Sequence, residues 1–279
     1  MTTLALDWAT AIEASPPELV RLAAANGIGI INCPVLASLS PGRTQWDIIA
    51  DTAMRRETRQ VCEVEGVRID VIEAFFIRPE TDVKGFQKAL ESGAWLGSEQ
   101  VNIVTQDENS ARLLDQCGRF CELAAGFGLR ILIEYSPRMS QRTLSEAVDF
   151  IGKLGRSDVR VQVDSLHTFR SHVPLEVLAG FDSRTIGRVQ LCDGPAEIAP
   201  EQARHEAVLE RMVPGEGEFP LVDFLDSIPD DVVVGLEVPI QSLRDQGVSA
   251  ADRVKRVVSG SRSVLSKRSA RSTVSRKRP

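Results

Sequence analysis

Short apolar runs alternate with longer stretches of helical periodicity along most of the chain. The runs are Leu4–Leu6, Ile28–Asn32, Ile69–Phe75, Val101–Val104, Leu129–Ile133, Val159–Val163, Ile186–Leu191 and Val232–Leu236. Each is nearly continuous in Val, Ile and Leu, the pattern of parallel strands covered on both faces. Between them lie amphipathic segments with recognisable ends. Ser15-Pro16-Pro17-Glu18 offers an N-cap with proline in the first turn, and Asn26-Gly27 a stop. Ala111–Ala125 is a second clear helix, ended by Gly126 and Gly128. Eight strand-like runs separated by helices predict an α/β protein with a single (β/α)8 TIM barrel over residues 1–258. An open doubly wound sheet would need a glycine-rich turn after the first strand, and Leu6-Asp7-Trp8-Ala9-Thr10 has no glycine. Gly194–Phe219, rich in Pro, Glu and Gly, reads as an active-site loop in the long interval before the last strand.

The length of 279 residues fits one barrel of this kind, and composition is that of an ordinary globular chain, 43% hydrophobic and 26% charged. No run reaches the roughly 20 apolar residues of a membrane span, and the first residues lack a secretory pattern, so a cytoplasmic protein is expected. Of the 33 Lys and Arg, seven lie in residues 261–279, which hold no acid; that leaves 26 against 39 acidic residues in the body. An acidic body speaks against nucleic acid as a partner. The basic stretch 259–279 is expected to be a disordered tail. Five cysteines, odd in number and spread through apolar segments, suit core positions better than a disulfide framework or a zinc ribbon.

Chemistry in a barrel collects where the strands end. Strands five to eight end at Glu134, at Asp164 with His167 beyond, at Gln190 before Asp193, and at Glu237. Steps of 30, 26 and 47 residues, the last lengthened by the insertion, are one βα unit each, so these four side chains can converge. Three carboxylates and a carboxamide need a cation to share a dry pocket. Hard oxygen donors point to one divalent metal ion, Mn²⁺ or Mg²⁺ first, with Co²⁺ or Zn²⁺ as alternatives. A lone glutamate at a strand end is more often solvated; four such positions in succession carry more weight.

The motifs Ile133-Glu134-Tyr135-Ser136-Pro137, Val163-Asp164-Ser165-Leu166-His167, Val189-Gln190-Leu191-Cys192-Asp193-Gly194, Arg211-Met212-Val213-Pro214-Gly215-Glu216-Gly217-Glu218 and Leu236-Glu237-Val238 together resemble the xylose isomerase-like TIM-barrel superfamily. That group includes sugar phosphate isomerases, epimerases and dehydroshikimate dehydratases. The resemblance implies that Glu134, Asp164, the strand-seven residue and Glu237 hold the metal, that Glu134 or Glu237 removes a proton, and that His167 and Arg211 reach substrate oxygens. It implies an isomerase or epimerase acting on a sugar-like hydroxyketone through a metal-stabilised enediolate. Gln190 departs from the histidine usual in ketose epimerases and is similar to some dehydroshikimate dehydratases, which makes a lyase the alternative. A non-catalytic polyol-binding barrel is a third reading.

Other candidates read two ways. His167 suits substrate contact or acid–base work, or the orientation of Asp164. Arg170 could bind a carboxylate or form a structural ion pair; Arg211, before a Pro-Gly turn, suits an anion or hydroxyl clamp. Glu73 lines the pocket or is solvated or paired, and Trp8 packs or stacks on substrate. His172 and His205 are expected at the surface. The six lysines lie in helices or the tail, which excludes a Schiff-base aldolase, and three histidines cannot supply a three-zinc nuclease site. The expected partner is a small polyhydroxylated ketone. Membrane partners are not expected, and barrels of this kind often pair into homo-oligomers.

Overall fold

The computed structural model describes residues 2–36 and 46–275, with side chains described as far as residue 271. Eight parallel strands close in chain order into a barrel, β1 pairing with both β2 and β8. They are β1 (Leu4–Leu6), β2 (Ile30–Pro34), β3 (Arg68–Ile77), β4 (Gln100–Thr105), β5 (Arg130–Glu134), β6 (Val159–Asp164), β7 (Ile186–Leu191) and β8 (Val233–Leu236). Around them run α1 (Pro16–Ala25), α2 (Thr52–Glu65), α3 (Gln87–Trp95), α4 (Ser110–Ala125) and α5 (Leu144–Leu154). After β6 come α6 (Ser165–Arg170) and α7 (Leu175–Leu178); after β7, α8 (Ala203–Leu209) and α9 (Leu221–Asp226); after β8, α10 (Gln241–Asp245) and α11 (Ala250–Ser275). Every apolar run thus became a strand. Among the described residues no helix is long and apolar enough to cross a membrane.

Local chemistry sets these elements. Ser15 and Glu18 form the expected capping box at α1, and Gly27 follows with φ +66°. Alternate strand residues pack outward against the helices, as Val161, Val163, Val189 and Leu191 do in the apolar core. The other parity points inward, and here the interior is polar. Register aligns Asp164 with Gln190, Gln190 with Gly235, and Gly235 with Ala5. Arg188, fully buried, forks onto Asp7, also fully buried, and lies 3.6 Å from Asp70. Burial opposes the charge on Arg188, but the Asp7 carboxylate outweighs it and raises its pKa. Only glycine fits at Gly235, because a Cβ there would lie 2.5 Å from both Asp7 carboxylate oxygens.

Two expectations need correction. Residues 259–271 are not a disordered tail: α11 continues through them, burying Ser261 and Val264 and pairing Arg268 with Asp226 and Asp230. Apolar contacts at Val254, Val257, Val258 and Val264 recur at helical spacing and anchor the basic face. Residues 276–279 lie outside the described residues. The segment Gly194–Phe219 is not all loop either, since it contains a 3-10 turn at Pro200–Gln202 and the whole of α8.

Candidate metal centre

At the C-terminal mouth of the barrel, β5 ends on Glu134 and β6 on Asp164, with His167 one helical turn beyond in α6. Asp164 Oδ1 accepts from the Leu166 N–H at 2.7 Å, starting α6 directly at the strand end. Thr168 donates to the Asp164 carbonyl at 2.7 Å and shares a 2.7 Å hydrogen bond with the Tyr135 hydroxyl, which fixes that turn against β5. The result sets ligand-type atoms of Glu134, Asp164 and His167 within 4.8 Å of one another, all three buried.

The distances fit a shared ion better than direct bonds. His167 Nε2 stands 3.5 Å from Glu134 Oε1 and 3.9 Å from Asp164 Oδ2, too far for hydrogen bonds. Ligands about 2.1 Å from one octahedral ion are separated by about 3 to 4 Å. Burial, with the nearby Arg211, pushes the His167 pKa down to about 3, so the imidazole is neutral and has a lone pair to offer. Glu134 is raised well above the usual carboxylate range by burial, then by Glu237, Asp164 and Glu73. Burial also raises Glu237 against the pull of Arg211. Asp7, Glu73, Glu134, Asp164 and Glu237 share this interior with Arg188 and Arg211, an excess of acid that a divalent cation would offset.

Arg211 enters from the β7–β8 connection. Its neighbours pin the backbone: Glu210 bridges Ile240, Met212 bridges Asp193, and the Arg211 N–H donates to Pro239 at 2.7 Å. The Pro214–Glu218 turn wraps the Asp193 carboxylate, which accepts from the N–H groups of Gly194, Gly215 and Phe219. Gly217 is required there, since a Cβ would lie 2.4 Å from Asp193 Oδ1. Nη1 of Arg211 meets Asp164 Oδ2 at 2.7 Å and Glu237 Oε2 at 2.9 Å.

Other candidates lie elsewhere. The Gln190 amide is not aimed at the triad: Nε2 donates to Asp7 Oδ2 and Oε1 accepts from Gln162, both at 2.9 Å. Arg170 is committed to Glu206 and to the carbonyls of Pro195 and Ala196, with its guanidinium over Phe219, so it is a structural pair and not a substrate clamp. Glu73 is buried, accepts from Asn32 Nδ2 at 2.7 Å and from the Trp8 side chain, and faces the same interior as Glu237. Trp8 is buried and bonded, hence packing in place of an open stacking surface. His172 and His205 are exposed. Asp7, Asn32, Asn102 and Arg188 escaped notice from sequence; each is a polar residue at or within an apolar run, and Asn102 Nδ2 approaches Glu134 Oε2 at 3.4 Å. A cavity of about 700 Å³ beside the mouth is lined by Arg138, Gln141 and Arg142 but by none of the triad.

Solved structures share the fold at low identity. A xylose isomerase-like TIM barrel/4-hydroxyphenylpyruvate dioxygenase fusion protein superposes with TM-score 0.79 at 17% identity, covering 100% of this chain; the chain spans 45% of that protein. The IOLI protein with a bound zinc atom gives 0.75 at 19%, covering 95% of this chain and 99% of its own. D-psicose 3-epimerase with D-tagatose from Clostridium cellulolyticum H10 gives 0.71 at 14%, covering 95% and 99%. No curated protein matches the chain by sequence. The family model described as xylose isomerase-like TIM barrel matches residues 19–258, and by that match over most of its length the chain belongs to this family.

Proposed function

We propose that the protein is a divalent-metal-dependent isomerase or epimerase acting on a sugar-like hydroxyketone. The observation that carries this reading is the buried meeting of Glu134, Asp164 and His167, with Glu237 linked to Asp164 through Arg211. Glu134, Asp164 and His167 would hold the ion, with Glu237 closing the site from β8. The zinc atom of the IOLI protein and the sugar bound by the psicose epimerase support a metal and a small polyol on this scaffold.

A cation bound there would polarise a substrate carbonyl and acidify the neighbouring C–H. The remaining work belongs to the protein. Glu134 and Glu237 come from strands three positions apart in the barrel, so a substrate between them meets a carboxylate from two sides. One takes the proton from carbon. Its return to the opposite face epimerises, and its return to the adjacent carbon isomerises. Neutral His167 contributes a lone pair or a hydrogen bond. Gln190, where epimerases of this type carry histidine, favours a dehydratase as second reading, in which the same base acts and a β-hydroxyl leaves.

The test is solvent deuterium exchange. The Mn²⁺-supplied protein is incubated in D₂O with keto-sugars, inositol ketones and 3-dehydroshikimate, and label at carbon is followed by mass spectrometry. Metal-dependent exchange that falls at least about 100-fold in Glu237→Gln is expected. Absence of both exchange and turnover with every compound would instead favour a polyol-binding barrel.

A further inference from the structure

Arg211 joins two of the acids at the candidate metal centre. Its Nη1 reaches both Asp164 Oδ2 and Glu237 Oε2, and is itself buried. The Asp164 oxygen it holds is the one that faces His167, while the other oxygen is already taken by the Leu166 N–H. Asp164 therefore has no oxygen free of a donor to offer to the triad. A carboxylate oxygen has two lone pairs, but sharing Oδ2 would set a divalent ion within about 4 Å of a guanidinium nitrogen, where like charges repel strongly in a buried site.

The rest of the arginine is anchored away from these acids. Nε and Nη2 donate to the Ala207 carbonyl at 3.3 and 3.0 Å, and the backbone is pinned on both sides. Because the guanidinium is planar and both Nε and Nη2 hold the Ala207 carbonyl, withdrawing Nη1 means loosening that anchor as well.

Resting on the metal-centre reading above, we propose that Arg211 is a built-in counter-ion that competes with the divalent ion for Asp164 and Glu237, so that metal entry requires Nη1 to withdraw. The arginine holds the carboxylates together when no metal is bound and lowers the affinity of the site.

Mn²⁺ affinity, measured by titration calorimetry on the full chain, separates competition from support. Arg211→Met is expected to bind Mn²⁺ about tenfold more tightly than wild type, since breaking two charged hydrogen bonds is no longer part of binding. Its metal-free form is expected to melt lower, and to gain more in melting temperature on Mn²⁺ addition. Arg138→Met removes another positive charge whose field reaches His167 without touching the acids, and is expected to change affinity less than about threefold. If Arg211→Met does not fold, Arg211→Lys, which cannot fork between the acids and Ala207, serves in its place with the same expected direction. Equal or weaker Mn²⁺ binding in the arginine variant overturns competition and makes Arg211 a support for its carboxylates. No Mn²⁺ binding by wild type or any variant overturns the metal centre itself.

Discussion

Gln190 spans the barrel interior to Asp7, donating from Nε2 to Oδ2 at 2.9 Å, and its carbonyl oxygen is taken by Gln162. The contact exists because Gly235, level with Gln190 on β8, has no side chain to stand between β7 and β1. The amide thus belongs to the polar floor beneath the mouth, together with the Arg188–Asp7 pair.

Replacing that amide should affect stability more than metal. Gln190→Leu leaves Gln162 Nε2 without its acceptor, at a cost of about 1–3 kcal/mol. Mn²⁺ affinity is expected to stay within about threefold of wild type, as for a group outside the coordination sphere. Denaturant unfolding and calorimetry check the two parts; a loss of affinity near 100-fold would return Gln190 to the ligand set.

Glu73 sets a pH dependence of the metal-free protein. Burial, with Asp7 and Glu237 adding to it, pushes its carboxyl up to about 8. Between about 4.5 and 8 the folded protein keeps a proton that the unfolded chain has released, so stability falls as pH rises through this window. Below it the contribution is fully present. Glu73→Gln cannot ionise, and the difference between wild type and variant should change by about 2–4 kcal/mol from pH 5 to pH 8. Parallel stability profiles, measured by urea unfolding with chelator present, would show Glu73 charged throughout.

The last helix is part of the barrel. Gly260 lies where a Cβ would come within 2.6 Å of the Pro214 carbonyl and of Val213, so α11 packs directly on the connection that carries Arg211. Truncation after residue 258 removes buried Ser261 and Val264 and the Arg268 ion pairs, and should lower stability by at least about 2 kcal/mol. An unchanged melting curve would restore the view of this stretch as a passenger.

The barrel was legible in the sequence because the outward face of each strand is built of Val, Ile and Leu, which recur in eight runs even though several inward positions are polar. Glu134, Asp164 and His167 were legible for the same reason, being the polar residues that stop a run or follow it by one turn. The interior was harder. Arg188 is a single charge inside an apolar run, with nothing nearby in sequence to pair it, and its partner Asp7 is 181 residues away. The direction of the Gln190 side chain depends on a glycine in another strand, which local pattern cannot show. In α11 the density of Arg, Lys and Ser masked valines at helical spacing.

The most direct measurement is the Mn²⁺ content of the purified full chain after equilibrium dialysis, for wild type, Glu134→Gln and His167→Ala. A buried ion shared by Glu134, Asp164 and His167 predicts one Mn²⁺ per wild-type chain, with affinity down by more than about 100-fold in both variants while they remain folded. Wild-type protein that retains no metal, or variants that retain as much as wild type, would contradict it.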